Sequence, residues 1–401
     1  MAKMSIKDAQ TAGRRVLVRV DFNVPLDDAQ RITDDNRIQA ALPTLRYLLQ
    51  QGAALVLMSH LGRPKGKRVP AMSLAPVAAR LGEVLGRPVQ LAPDCVGPEV
   101  ERLARALQPG QVLLLENLRF HPEEEKNDTG FSGQLAALGD LYVNDAFGTA
   151  HRAHASTEGI IHHLSVAVSG LLMEKEIQYL DDAVRAPRRP FVAILGGAKV
   201  TGKIEVIDNL MDKVDALIIG GGMAYTFFKA MGLEIGDSLL EQEAVEVGRG
   251  VLEKARQRSK ELLLPVDCVV ADRFAADAAT QVVTREAIPA GWQGLDIGPQ
   301  TRRLFGDQVA AARTVVWNGP LGVFEMAPFA EGTRAVAEAL AAATQEKGTM
   351  SIIGGGDTAA AIAQFGLGER MTHISTGGGA SLECLGGLVL PGVAALNDKR
   401  G

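Results

Sequence analysis

The chain has 401 residues, 47% hydrophobic and 22% charged, with a net charge of −5, enough length for two or three domains with cores of their own. The acidic balance excludes a global basic field for nucleic acid or an anionic membrane, so any anion site must be local. Three widely spaced cysteines, Cys95, Cys268 and Cys384, fit a reducing compartment without structural zinc, and no signal core or 18-residue apolar run is present, so a cytoplasmic protein without a membrane span is expected.

In chain order, short apolar runs alternate with helical patterns, the signature of parallel α/β architecture. The first half offers strands at 16–20 (VLVRV), 54–59, 112–117, 141–145 and 165–170. The second offers 191–195 (FVAIL), 216–220, 267–271 (DCVVA), 314–318, 350–354 and 372–376. Near-continuous apolarity in each run implies sheets covered on both faces. Amphipathic stretches such as "LAPVAARLGEVLG" and "TRAVAEALAAATQEKG" lie between them and end in glycine, as a left-handed helix cap requires. Eleven strands are many for one open sheet. The break falls at a charged helical segment over 174–187, ending at Pro187. The expectation is therefore two doubly wound, Rossmann-like parallel-sheet domains joined by that hinge helix.

Ligands of open α/β sheets bind outside the carboxyl ends of the strands, and there the halves differ. The first half carries Asp21, Phe22 and Asn23, then His60, Leu61, Gly62 and Arg63, then Arg119, then His151, Arg152 and His154, with Arg37 opening the first helix. Guanidinium groups match phosphate and carboxylate in bidentate geometry, so this set suits a small, highly charged anion. The second half offers glycine: "GGAKVTGK", "GGGMA", "NGPLGVFE", "GGGDTAAA" and "TGGGASLE", four of them running directly into a helix. Glycine lets backbone approach a phosphate, and helix-start amides hold its charge. "GGAKVTGKI" nearly spells a Walker A loop, but Ile204 stands where a metal-binding hydroxyl is required.

Each piece also has a bland reading: three glycines after a strand make a turn, and a lone arginine there is a solvated rim. Recurrence at five strand ends and four arginine positions favours binding. "HRAH" lacks the glutamate of a zinc helix and reads as no metal site. His162 and His163 read as a solvated loop, "PEEEKND" (122–128) as an exposed charged loop, and Cys268 and Trp317 as core. Asp357 reads either as a helix cap or as the hard-oxygen handle for Mg²⁺.

Among reaction classes, a dehydrogenase lacks its GxGxxG and following acid, and a pure binding module leaves the paired pockets unexplained. A phosphotransferase accounts for both halves, because phosphoryl transfer demands mainly positioning and charge neutralisation. No catalytic base is evident, which favours an acceptor that is already anionic and so a kinase acting on a carboxylate or acyl phosphate.

"RVDFNVP", "SHLGRPKG", "ENLRFHPEEEKND", "VNDAFGTAHRAHAST", "LGGAKVTGKI", "IIGGGMAYTF", "LDIGP", "VWNGPLGVFE", "GGGDTAAA" and "STGGGASLE" together resemble the phosphoglycerate kinase family, in its order, from about residue 16 onward. The resemblance implies reversible transfer between 1,3-bisphosphoglycerate and ADP with Mg²⁺, giving 3-phosphoglycerate and ATP. It implies substrate contacts at Asp21, Phe22, Asn23, Arg37, His60, Leu61, Gly62, Arg63, Arg119 and Arg152. On the nucleotide side it implies Gly197, Lys199, Lys203, Asn318, Gly355, Gly356, Asp357 and Thr358 at the phosphates, with Asp357 also serving the metal. Glu325 would meet the ribose, Gly221, Gly222 and Gly294 would border the adenine, and Gly377, Gly378 and Gly379 would face the transferred phosphoryl, which Arg37 and the lysines would stabilise.

The same resemblance implies a monomer with a glycerate domain, 1–173 plus 389–401, and a nucleotide domain, 188–388, closing about the 174–187 helix. Gly202 and Gln300 depart from the family's usual acidic or polar residue and its lysine, respectively. Gln300 removes only a peripheral charge.

Overall fold

The fold comes from a computed structural model, described for residues 2–399. It divides into two compact units, Met1–Gln178 with Val389–Gly401, and Tyr179–Leu388.

The first unit is built on six strands: β1 (Arg15–Arg19), β2 (Ala54–Met58), β3 (Val89–Leu91), β4 (Val112–Leu114), β5 (Leu141–Asn144) and β6 (Ala167–Ser169). They pair in parallel in the order β3-β4-β2-β1-β5-β6. The period of two in a strand splits each apolar run between the faces. Val16 and Val18 join Leu55, Leu57, Val112, Leu114 and Val143 in one core, whereas Leu17 joins Val56, Met58, Leu113 and Tyr142 in the other. Each such fully buried aliphatic side chain contributes roughly 1.5–3 kcal/mol, so both helix layers are anchored on this sheet.

Strand order grows outward from β1 in both directions, which makes the end of β1 a topological switch point. The loops carrying Asp21, His60 and Arg152 follow β1, β2 and β5, so the sheet delivers all three to one edge.

Residues 389–399 complete this unit. Gly392 donates to the Ala150 carbonyl (2.9 Å), the Asn144 amide donates to the Gly392 carbonyl (3.1 Å), and Asn397 accepts from the Ala167 amide (2.7 Å). Lys3 pairs with Asp398 at 2.9 Å.

The charged helix spans Leu171–Arg185, beginning before 174 and ending before Pro187. Its start is set by side chains distant in sequence. Thr44 Oγ1 accepts from the Leu171 amide (2.8 Å) and Asp145 Oδ1 from the Met173 amide (3.1 Å). Asp145 is fully buried, its Oδ2 has no hydrogen-bond partner, and burial pushes its pKa up to about 7.

The second unit contains β7 (Phe191–Leu195), β8 (Ala216–Ile219), β9 (Glu261–Leu263), β10 (Asp267–Ala271), β11 (Thr280–Thr284), β12 (Gln293–Ile297), β13 (Thr314–Asn318), β14 (Met350–Gly354) and β15 (His373–Ile374). Six form a parallel sheet, β15-β14-β13-β7-β8-β9, again growing outward from its first strand, β7. Trp317 sits in its core with Ile194, Ile218 and Ile353.

One expected strand belongs elsewhere. The run 267–271 is β10, the centre of a separate antiparallel sheet, β11-β10-β12. All five of its residues are buried, so its apolar pattern is that of a strand in a parallel sheet. Its neighbours are not apolar runs: β11 alternates exposed with half-buried residues, as the edge of a sheet with one wet face does.

Candidate active site

In the first unit the residues after β1 interlock with those after β2 and β4. Arg37, at the start of helix Asn36–Gln50, forms an ion pair with Asp21. Asn23 Oδ1 accepts from the Gly62 amide (2.8 Å), and the Gly62 carbonyl accepts from Arg119 Nη1 (3.0 Å). Arg119 also meets Glu125 at 3.3 Å, and Arg152 Nε lies 3.1 Å from His151 Nε2. Arg63 is exposed on the loop after β2.

Arginines dominate the local field. Burial pushes His60 well below the usual histidine value, Asp21 pulling upward and Arg19, Arg119 and Arg37 downward. Burial and the same kind of neighbours bring His154 to about 4, and burial with Arg152 lowers His151. These rings are neutral at pH 7, and the positive charge of the cradle is guanidinium charge. Burial opposes ionisation of Asp21, yet its pKa stays below the usual carboxylate value. With His60 uncharged, Arg37 and Arg19 hold that carboxylate ionised.

Arg19 was not among the expected residues. It closes β1, is fully buried, and donates to Ser156 Oγ (2.9 Å) and the Val20 carbonyl, with His60 Nδ1 3.1 Å away. Behind it stands Glu124, also fully buried, which accepts from Ser156 N (3.0 Å) and Ser156 Oγ (2.6 Å). The segment 122–128 is exposed at Pro122, Glu125, Lys126 and Asp128, as expected, but Glu124 is not. Pro122–Glu125 is a helical turn, and Glu124 balances the arginines from behind. The available signal was an arginine at the end of an apolar strand, where solvent rarely explains it.

The side chains of Phe22 and Leu61 lie in the hydrophobic core. Their backbone is also engaged: the Phe22 amide donates to Ser59 Oγ (2.8 Å), and Asn117 bridges the Leu61 amide and carbonyl. They position the loop from beneath.

In the second unit the glycine loops pack backbone to backbone at the switch point after β7. The Gly196 amide donates to the Asn318 carbonyl and the Gly197 amide to the Pro320 carbonyl, both at 2.9 Å. The Met223 amide, at the start of helix Met223–Ala230, donates to the Gly197 carbonyl (2.9 Å), beside Gly221 and Gly222. Gly319 has φ +100°, and a β-carbon there would stand 2.3 Å from the Gly196 carbonyl group, so only glycine fits. Its amide donates to Thr358 Oγ1 (2.7 Å), tying this loop to helix Gly356–Gln364. Asn318 lies beside Gly354 and Gly355, and Gly378, opening helix Gly378–Leu385 between Gly377 and Gly379, lies against Gly356. Five strand-end loops thus meet on one patch.

Lys203 brings charge to that patch. Its Nζ lies 3.5 Å from where a β-carbon on Gly197 would be, and burial lowers its pKa, with Asp357 opposing. Asp357 is exposed in the first turn of helix Gly356–Gln364, and the cap position belongs to Gly355. The loop 196–203 is no P-loop. Thr201–Lys203 is a 3-10 turn whose start is held by Glu241, which accepts from the Val200 amide (2.7 Å), the Thr201 amide (3.1 Å) and the Thr201 hydroxyl. Glu241 also feels the charge of exposed Lys199 and was missed because it lies 40 residues from that turn. Gly294 lies in β12, its amide on Ser238 Oγ (2.9 Å) and Tyr225 filling the space where its β-carbon would be; Glu325 is exposed.

The sequence model described as Phosphoglycerate kinase matches residues 6–388. The phosphoglycerate kinase of Chlorobium phaeovibrioides is 59% identical over 398 residues, covering 99% of this chain and all of that one. That of Chloroflexus aurantiacus is 58% identical over 400 residues, with the same coverage. The solved structure of phosphoglycerate kinase from Coxiella burnetii superposes with a TM-score of 0.88 at 42% identity, and that from Pyrococcus horikoshii with 0.86 at 32%, each covering 98% of both chains. With near-complete coverage in sequence and in fold, the chain belongs to the phosphoglycerate kinase family.

Proposed function

We propose that the first unit holds the glycerate substrate and the second the nucleotide of the family's reaction. That reaction is reversible phosphoryl transfer between 1,3-bisphosphoglycerate and ADP, and the chain is an ATP:3-phosphoglycerate 1-phosphotransferase. The observation carrying the assignment is the contrast between switch points: buried and half-buried guanidinium groups after β1, and convergent glycine loops with Lys203 after β7.

In this reading Arg63, Arg119, Arg152 and His60 bind the 3-phosphate, with Gly62 spacing Asn23 and Arg119. Asp21 and Asn23 orient the hydroxyl and carboxyl end. Arg37, paired with Asp21, turns from that carboxylate to the transferring group when substrate arrives. The carboxylate acceptor arrives deprotonated, so the neutral ring of His60 serves as a hydrogen-bonding group, and no base is needed. Lys203, Lys199 and the amides of Gly377, Gly378 and Gly379 neutralise charge on the phosphoryl group during in-line transfer. Gly197, Asn318, Gly355, Gly356 and Thr358 hold the phosphate chain, Gly221, Gly222 and Gly294 border the adenine, and Glu325 meets the ribose.

Asp357 would hold Mg²⁺ through its exposed carboxylate, a hard-oxygen donor, with Lys203 sharing the neutralisation of the same phosphates. Held there, Mg²⁺ would supply charge neutralisation for the nucleotide phosphates. Closure about the helix Leu171–Arg185 then shields the transfer from water. We also infer a cytoplasmic monomer; among the described residues no helix is long and apolar enough to cross a membrane.

The test is a coupled assay with 3-phosphoglycerate, ATP and Mg²⁺, run on the wild type and on Arg119→Ala and Lys203→Ala. Arg119→Ala should raise the glycerate KM alone, and Lys203→Ala should lower kcat. Interchanged effects would reverse the assignment of the units.

A further inference from the structure

The first unit holds a side-chain cluster that the phosphate cradle does not use. Asp94 and Cys95 follow β3, and His121 sits where the turn Leu118–Phe120 meets the helix Pro122–Glu125. A carboxylate oxygen, the thiol sulfur and a ring nitrogen of these residues lie within 4.8 Å of one another, and among the described residues no other such trio occurs. His121 Nε2 is 2.6 Å from Asp94 Oδ1, and its ring stacks on Phe131 with centroids 5.1 Å apart, so packing fixes its aim. The Cys95 thiol, fully buried, donates to the Glu116 carbonyl at 3.0 Å. The Asp94 and His121 side chains are 38% and 26% exposed. The cluster thus has a soft donor at its floor and a mouth open to solvent.

Sulfur, imidazole nitrogen and carboxylate oxygen are the donors of a tetrahedral zinc site with one position left for water. At metal–ligand distances of about 2.0–2.3 Å, donors stand roughly 3.3–3.7 Å apart, so the trio needs shifts of about 1 Å or less. Local charge favours a cation: Asp94, Glu116 and Glu124 act on the thiol, opposed by Arg68, 3.8 Å from Asp94.

We propose that Asp94, Cys95 and His121 bind one Zn²⁺ ion and that the bound ion inhibits the enzyme through Arg119. The Cys95 S–H bond breaks, a sulfur–zinc bond forms, and the proton passes to solvent. The coupling is short. The His121 amide donates to the Leu118 carbonyl (3.1 Å), closing the turn that carries Arg119, so drawing His121 to a metal moves the guanidinium off the Gly62 carbonyl. The site is not a fold staple, because its residues are already hydrogen-bonded without metal.

The test uses the full chain and Co²⁺ as the spectroscopic probe. One equivalent should produce thiolate-to-cobalt charge-transfer absorption, release one proton per ion from the thiol, and yield to Zn²⁺. Cys95→Ser should lose the band while keeping basal turnover. Zn²⁺ should raise the KM for 3-phosphoglycerate in the wild type and leave it unchanged in Cys95→Ser. Absence of the band in the wild type, or its survival in Cys95→Ser, overturns the site, and an unmoved KM at saturating Zn²⁺ overturns the inhibition. Should serine at position 95 unfold the chain, Asp94→Asn and His121→Asn decide, since unchanged Co²⁺ affinity in both overturns the site equally.

Discussion

Replacing Gly319 by alanine is expected to separate the loops that follow β7 and β13. An L-residue held at φ +100° costs about 1–2 kcal/mol. The added β-carbon would also stand 2.3 Å from the carbonyl carbon and oxygen of Gly196 and 2.9 Å from the Gly197 nitrogen, where carbon contacts need about 3.5 Å. Because every one of those atoms is backbone, no rotamer change relieves the overlap, and the loops must part by roughly 1 Å, at about 1–3 kcal/mol for overpacking. The combined loss of roughly 2–5 kcal/mol corresponds to a Tm lowered by about 5–15 °C for a unit of this size. A shift of about 1 Å in a phosphate-positioning loop should also lower kcat on the order of 10²-fold. The matched control is Gly348→Ala, which has φ +63° and no heavy atom within 4 Å of the added carbon; it carries the backbone cost of about 1 kcal/mol and leaves kcat alone. Thermal unfolding by circular dichroism and initial rates in the coupled assay read both quantities. If the two variants behave alike in Tm and kcat, contact between the loops is not what Gly319 protects.

Lys203→Ala should reduce kcat by about 10²–10³-fold with a smaller change in nucleotide KM, and unchanged turnover would remove Lys203 from the transfer step. Arg37→Ala should reduce kcat on the order of 10³-fold or more; a rise confined to the glycerate KM would make Arg37 a binding residue only. Asp145 titrates near 7 when folded and near the ordinary 3.8 when unfolded, so the folded state holds the extra proton between those values and stability falls as pH rises through that window. Asp145→Asn removes that contribution, so the Tm difference between variant and wild type should widen from pH 5 to pH 8; parallel curves would contradict the assignment. Small-angle scattering should show a smaller radius of gyration with both substrates bound than with neither, and unchanged dimensions would count against closure.

The parallel-sheet strands were legible where burial on both faces made an unbroken apolar run, as in FVAIL and TVVWN. β3 and β9 were not, because each lies at a sheet edge with three residues and partial exposure. β11 and β12 carry too little apolar signal to stand apart from loops. At the candidate site, residues immediately after strands were readable because topology alone delivers them to one edge. Arg19, Glu124 and Glu241 escaped because their positions depend on pairings across 32 to 137 residues that no local pattern encodes. The inward side chains of Phe22 and Leu61 were equally illegible, because they stand beside polar candidate residues in sequence and only the packed loop turns them into the core.

The return of residues 389–399 to the first unit sets an order on the ribosome. Ala167 finds the Asn397 side chain, and Ala150 the Gly392 amide, only after about 230 to 240 further residues have been made. At about 5–20 residues per second that interval is roughly 10–50 s. Throughout it the first unit has its strands but stays unfinished, with the carbonyl of Ala150 and the amide of Ala167 awaiting partners, while the strands of the second unit are being made. The part of the chain synthesised first is therefore completed last, and nascent chains should be most exposed to chaperones and proteases through their N-terminal half.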